Sequence, residues 1–460
     1  MSAQTFTVLH SFNVDDGAQP LSGLVQGLDG NLYGTTSEDL LGRTYHGTLF
    51  KITTGGTVTN LHKFNGLGDG GVLFAGLTLT PDGSFYGVTN GGGPDAAGTI
   101  FKYSGGKVTT LYLFDRDTAD FPFGGLFLAA DGNLYGTTTD SGDKASSVGT
   151  VFRITQGGVF TILYKFAEKG ADGDYPEGQL VQNGDGSLYG TTNQGGAQGD
   201  GTIFKINQAG DLTTLYSFCS VGTQCLDGAA PQAGLILGND GAFYGTTYSG
   251  GDNSCQPADS CGTLFKYSQS GLTTLHVFQP GEGAQPTAPL YQGTDGNFYG
   301  AAVIGGKVWD PSCTEGCGTL FSLTPSDNLT VLHTFCETAG CPDGQNPYGP
   351  VVQATDGNFY GTAEQGGSSG DGIVYKLSLG LPPFVKLLPE FGVTGQSVRI
   401  LGNNLLGTTG VTFNGTPAEF AVNTNSFLTA TVPAGATSGT VQVTTANRVL
   451  TSNVTFHVSR

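Results

Sequence analysis

Basic residues are scarce in this sequence. Only 18 of 460 residues are Lys or Arg, against 37 Asp or Glu, which gives a net charge of −19. No Lys/Arg cluster occurs, so a nucleic-acid or anionic-membrane surface, which needs a basic face, is excluded as a partner. Apolar runs of about 18 residues are also absent, so no membrane insertion is expected. The chain has one Met and one Trp, and only 12% of it is charged. It lacks a His-Glu-x-x-His helix, a phosphate loop and a Gly-x-Ser-x-Gly elbow in the strand-to-helix context that chemistry requires. Its start, Met1-Ser2-Ala3-Gln4, has none of the basic and apolar regions of an export signal. It reads as a mature terminus after signal removal, with Met1 supplied for expression.

What the chain has in excess is glycine, 78 residues of it. Without a repeat, that content would point to disorder or a fibre. There is a repeat. The tetrad Leu32-Tyr33-Gly34-Thr35 recurs in variants at Tyr86, Tyr135, Tyr189, Tyr244, Tyr299 and Tyr360. Seven copies about 50 residues apart fall in the range of propeller blades. The first copy reads as four strands, Gly23–Gln26, Leu32–Thr36, Gly47–Thr53 and Val58–Phe64. Asp29-Gly30 and Gly55-Gly56 supply hairpin turns that tolerate positive φ. The seventh copy, Val351–Leu379, lacks a fourth strand. Its equivalent, Phe6-Thr7-Val8-Leu9-His10-Ser11-Phe12, stands at the amino terminus. The expected fold is therefore all-β, with a seven-bladed β-propeller over residues 5–380 closed by the N-terminal strand.

The pattern Asp-Gly-Asn-Leu-Tyr-Gly-Thr-Thr, then Gly-Thr-[Leu/Ile/Val]-Phe-Lys and Leu-Tyr-Ser-Phe, resembles the GloVer tandem repeats of exported bacterial proteins. Local departures are Ser322 in place of the third-strand Lys or Arg, and Ala301-Ala302 in place of Gly-Thr. The resemblance implies a propeller and export but no particular activity. After Leu381-Pro382-Pro383, the runs Gly395–Gly402, Val411–Gly415 and Thr431-Val432-Pro433 resemble an IPT/TIG immunoglobulin-like domain over residues 381–460. That resemblance implies a spacer or accessory β-sandwich.

Blade connectivity puts the second-to-third loops and the blade-to-blade linkers on one face, and the short hairpin turns on the other. Variable loops on a rigid scaffold are where binding usually resides. All eight cysteines fall in the long loops: Cys219 and Cys225, Cys255 and Cys261, Cys313 and Cys317, Cys336 and Cys341. Separations of four to six residues favour four local disulfides, with bridges between neighbouring loops as the main competitor; either implies an oxidising compartment outside the cytoplasm. No metal site is expected, because Cys-x-x-Cys is absent.

His10, His62, His276 and His333 share one fourth-strand slot with Tyr112, Tyr164 and Tyr216, which assigns that slot to packing. Asp16, Asp69, Asp172, Asp227, Glu282 and Asp343 share one linker slot, which assigns them to turn capping. Residues that break the repeat are the candidates for function. Tyr45, His46 and Arg43 in the first long loop have the types a polysaccharide lyase uses as base, acid and carboxylate neutraliser. Asp117 and Asp140, near Asp115 and Asp120, are carboxylates suited to a glycosidase pair or to calcium, although no EF-hand spacing appears and no cofactor is expected. Trp309, Asp310, Lys307 and Tyr248 are the candidates for ligand contact, since exposed aromatics stack on sugar rings or anchor partners. The expected role is non-enzymatic recognition of a polysaccharide or cell-surface protein by an extracellular, cell-surface or periplasmic protein. A polysaccharide lyase or glycoside hydrolase using the same face, or a structural spacer, are the alternatives.

Overall fold

The computed structural model describes residues 4–37, 46–140, 148–167, 170–222, 224–251, 261–307 and 313–458. Every regular element among them is a strand. The repeats form seven four-stranded antiparallel sheets, the first six each built from consecutive strands. The first comprises Val25–Gln26, Leu32–Thr36, Thr48–Ile52 and Val58–Lys63. The seventh comprises Val352–Gln353, Phe359–Ala363 and Ile373–Ser378, and takes its fourth strand, Thr5–Ser11, from the other end of the chain.

Aromatic side chains join neighbouring sheets. The Phe that follows each fourth strand meets the third-strand aromatic residue of the next sheet. The pairs are Phe12–Phe50, Phe64–Phe101, Phe114–Phe152, Phe166–Phe204, Phe218–Phe265, Phe278–Phe321 and Phe335–Tyr375, with centroids 5.1 to 5.7 Å apart and rings steeply inclined. Phe12 follows the fourth strand of sheet seven and Phe50 lies in sheet one, so the last sheet packs on the first. Burying such a side chain contributes about 1.5–3 kcal/mol, and the inclined pairing about 0.5–1.5 kcal/mol more.

The glycine of each Tyr-Gly-Thr tetrad makes room for these rings. Gly34 pairs across the sheet with Phe50. A Cβ at Gly34, Gly87, Gly136, Gly190, Gly245 or Gly300 would fall 2.4 to 2.7 Å from the tip of the facing ring. Space, not backbone freedom, therefore fixes glycine there. The threonines beyond it form a second buried layer. Thr36–Thr48, Thr89–Thr99, Thr138–Thr150, Thr192–Thr202 and Thr247–Thr263 pair through their hydroxyls at 2.8 to 3.0 Å. In sheet six Ala302 has no hydroxyl to offer, and Thr319 keeps only the linker-carbonyl donation, to Glu282, that Thr99 and Thr202 also make to Asp69 and Asp172.

Beyond residue 381 the strands form two four-stranded sheets and one two-stranded sheet, in which Phe391–Gly392 pairs with His457–Val458. The two larger sheets share a core that includes Val398, Ile400, Val411, Phe413, Leu428 and Val443. This unit packs against the first-to-second strand turns of the repeats. Ser426 donates to the Leu28 carbonyl at 2.7 Å and Asn403 to Thr355 at 2.9 Å. Leu388 and Leu401 join the apolar cluster of Leu28, Leu79 and Phe85.

Candidate functional site

At the opposite end, the linkers and second-to-third loops lie side by side. Short antiparallel bridges join them at Gly71–Gly91, Asp120–Asp140, Asp174–Gln194, Ala229–Ser249, Ala284–Ile304 and Gln345–Gln365. From there each chain segment enters the first strand of its sheet through a Gly- or Ala-rich stretch, and these seven entries converge. Their approach leaves no space for side chains: a Cβ on Gly178 would lie 2.7 Å from Gly234, and one on Gly349 2.7 Å from the Ser22 carbonyl. Between the entries lies a cavity of about 540 Å³.

One residue from the same slot of every sheet lines it. In sheet order these are Leu21, Phe74, Phe123, Glu177, Gln232, Thr287 and Tyr348. The slot is two-sided. Tyr348, Leu21, Phe74 and Phe123, from sheets seven, one, two and three, form a continuous apolar arc, in which Phe74 and Phe123 meet at 5.2 Å. Glu177, Gln232 and Thr287, from sheets four, five and six, form the polar arc, and Glu364 adds a second carboxylate. No Lys, Arg or His is among the described residues lining the cavity.

Glu177 is partly buried, and burial pushes its carboxyl up to about 7; Asn193, donating from Nδ2 at 3.3 Å, opposes the rise. Tyr348 is raised by burial and by the nearby Glu364 carboxylate and Tyr248. Tyr248 in turn is raised by burial and by Glu315. The cavity therefore combines exposed aromatic edges with a carboxyl that holds or releases a proton near neutrality.

The residues singled out in the sequence are placed unevenly around it. Tyr248 is half-buried and close enough to Tyr348 to act on it electrostatically, but it does not line the cavity. Lys307 is exposed on the sixth long loop, while Trp309, Asp310, Arg43, Tyr45 and Cys255 lie outside the described residues. His46 lies over Gly66 so closely that any side chain there would collide with its ring. Asp117 is exposed, and its amide donates to Asp115 Oδ1 at 3.1 Å. Asp120 and Asp140 do come together: Asp120 is 3% exposed, and burial plus the Asp140 carboxylate raise it to about 6.

Cys219–Cys225, Cys313–Cys317 and Cys336–Cys341 are disulfides between near neighbours, and Cys261 is also disulfide-bonded. The four sulfurs of Cys313–Cys317 and Cys336–Cys341 lie within 4.8 Å of one another, so the sixth long loop and the following linker are in contact there. These bridges suit an oxidising location, extracellular or periplasmic.

The repeated polar slots turn out to be partners. The linker carboxylate bonds the fourth-strand His or Tyr: His10–Asp16, His62–Asp69, His276–Glu282, His333–Asp343, Tyr164–Asp172 and Tyr216–Asp227, at 2.7 to 2.9 Å. Asp16 and Asp69 also accept from the backbone of their own linkers. Packing and capping, assigned separately from the sequence, are thus one hydrogen-bonded clamp in six of the seven linkers; in the third, Tyr112 bonds Thr118 instead.

The cavity slot was missed in the sequence, although it carries a signal. In six copies it follows a linker proline, at Pro20, Pro122, Pro176, Pro231, Pro286 and Pro347, and its occupant differs in character from copy to copy.

The family model described as the Gloeobacter/Verrucomicrobia repeat matches residues 1–185 and 147–342. No curated protein matches the chain. Among solved structures, the extracellular domain of a candidate one-component system from B. thetaiotaomicron aligns over 99% of this chain at 9% identity and TM-score 0.53. The alignment spans 58% of that structure's length, and the likeness is one of fold, all-β and propeller-like. A periplasmic gluconolactonase of Pseudomonas aeruginosa aligns over 78% of this chain and 97% of its own, at 16% identity and TM-score 0.45. No helix among the described residues is long and apolar enough to cross a membrane.

Proposed function

The chain belongs to the Gloeobacter/Verrucomicrobia repeat family, and from that premise we propose that it is an exported seven-bladed β-propeller that recognises glycans through the cavity on its long-loop face. Seven sheets joined by seven equivalent aromatic contacts, the last reaching the first, support the blade count and the closure. The unit after residue 381 is read as the IPT/TIG-like spacer. It rests on the hairpin-turn side, away from the cavity.

One observation carries the reading. Packing slots in this chain hold one residue type nearly throughout, whereas the cavity slot holds Leu, Phe, Phe, Glu, Gln, Thr and Tyr. Packing does not dictate that slot, so a ligand is free to. Aromatic rings opposite carboxyl and amide groups suit a sugar, which offers an apolar ring face and an edge of hydroxyls. A glycan array with wild type and Phe123→Ala is the test. Retained glycans should weaken about tenfold or more in the variant; an array without hits, or hits indifferent to Phe123, would refute the assignment. A hydrolase is the second reading, favoured by Glu177 as a carboxyl kept protonated near neutrality and Glu364 as a second unrepeated carboxylate. Release of reducing ends from any retained glycan, abolished by Glu177→Gln, would replace recognition with hydrolysis.

A further inference from the structure

Charge narrows the ligand class. The described lining has two carboxylates, Glu177 and Glu364, and no cationic side chain. The chain around it carries a net charge of −19. A uronate or sulfated sugar would enter this cavity unpaired and next to like charge, which disfavours it. That argues against the polyanionic substrates a lyase takes.

Glu177 lies between groups that do not neutralise it. Its hydrogen bond comes from the Asn193 amide, at 3.3 Å. Gln232 and Thr287 continue the arc as neutral groups, and the apolar arc of Tyr348, Leu21, Phe74 and Phe123 faces it. An ammonium placed here would supply the countercharge that Glu177 lacks and would meet aromatic faces, which attract cations. The body carrying that ammonium needs an apolar face to cover Phe74 and Phe123. A pyranose with a free amine meets both demands.

Building on the glycan-recognition reading, we propose that the cavity selects amino sugars with an unacetylated amine, bound by the Glu177 carboxylate and stacked on the Phe74–Phe123 arc.

The test is calorimetric titration at about pH 7, where Glu177 is about half ionised and a sugar amine still carries charge, at physiological ionic strength. The probes are a glucosamine tetramer, the N-acetylglucosamine tetramer, a galacturonate tetramer and tetralysine. The glucosamine tetramer should bind at least tenfold tighter than its acetylated form, and the galacturonate tetramer more weakly than either. Glu177→Gln, shown by its circular dichroism to be folded, should bring the first two within about twofold of each other. Phe123→Ala should weaken both about tenfold. Equal binding of the two glucosamine forms, or a preference that survives in Glu177→Gln, would overturn the amine assignment while leaving glycan recognition standing. Tetralysine binding as tightly, with the same dependence on Glu177, would overturn the sugar as the carrier. No binding by any of the three oligosaccharides, with the array also empty, would remove the glycan reading itself.

Discussion

Tyr375→Phe should stabilise the protein, and the repeat makes the reason explicit. The third-strand slot that receives the neighbouring sheet's Phe holds Phe50, Phe101, Phe152, Phe204, Phe265 and Phe321 in the first six sheets, and Tyr375 only in the seventh. Tyr375 is 0% exposed, and its hydroxyl has no hydrogen-bond partner among the described residues. The oxygen is directed at Gly361, the glycine paired with it across the sheet. Burial accordingly drives its pKa far above the ordinary phenol value. An unsatisfied buried hydroxyl costs about 1–3 kcal/mol. Deleting it leaves a void of roughly one oxygen atom, which at about 24 cal/mol per Å³ returns only a few tenths of a kcal/mol. The net expectation is a gain of about 1–2 kcal/mol, or a rise in Tm of about 1–3 °C for a unit of this size.

Differential scanning calorimetry with a parallel urea titration would measure this, with the midpoint rising and the slope unchanged. The reciprocal change, Phe204→Tyr, brings a hydroxyl against Gly190, whose Cβ position is already 2.6 Å from the ring tip. It should cost at least as much as Tyr375→Phe gains. A fall or no change in Tm for Tyr375→Phe would refute the reasoning, because it would mean that the hydroxyl is bonded and belongs to the seam between sheets six and seven.

Glu177 makes stability depend on pH. Its folded pKa is raised to about 7 from 4.5, so the folded state holds the extra proton, and stability present below about pH 4.5 is lost as pH rises through 7. Glu177→Gln should match wild type in acid and exceed it by about 1–3 kcal/mol at pH 8; parallel stability curves across that window would contradict this. Phe12→Ala should cost about 3–5 kcal/mol, as much as Phe218→Ala at an interior seam. If urea denaturation finds Phe12→Ala nearly neutral, the last and first sheets are not joined as described. Replacing both Cys336 and Cys341 by Ser should cost about 2 kcal/mol through the short loop they close, measured under non-reducing conditions; an unchanged midpoint would deny that bridge a stabilising role.

How much of this was legible in the sequence depended on how far apart the cooperating residues lie. Within one copy, turns and strands follow from neighbours in sequence: Asp29-Gly30 marks the hairpin, and Leu32–Thr36 the strand it leads into, as the structure has it. The place of the N-terminal strand in the seventh sheet was also legible, because Phe6–Phe12 carries the same pattern as Leu212–Phe218, and Thr5–Ser11 pairs with Ile373–Ser378. The His–carboxylate clamps were half legible. Both slots repeat, yet nothing in a linear pattern says that His62 and Asp69 meet across a bulged strand end.

The cavity was not legible in the same way, and the reason is geometric. Its lining takes one residue from each copy, about 50 positions apart, and those residues become neighbours only when seven strand entries converge on a common centre. Residues that break the repeat, such as Arg43, Tyr45, His46 and Trp309, stand out in the sequence by their chemical types one at a time. A slot of fixed position and changing chemistry shows only when the copies are compared with one another. The third-strand slot stays aromatic because each ring must fill the space over a glycine. The fourth-strand slot alternates only between His and Tyr, because six of the seven reach a linker carboxylate and Tyr112 reaches Thr118 in the same linker position. At the post-proline slot, Leu21, Phe123, Glu177 and Gln232 share no size, charge or hydrogen-bonding capacity, so no common packing demand acts on them. The scaffold fixes where those side chains point and leaves their chemistry open, which is the arrangement a binding site on a repeated fold requires.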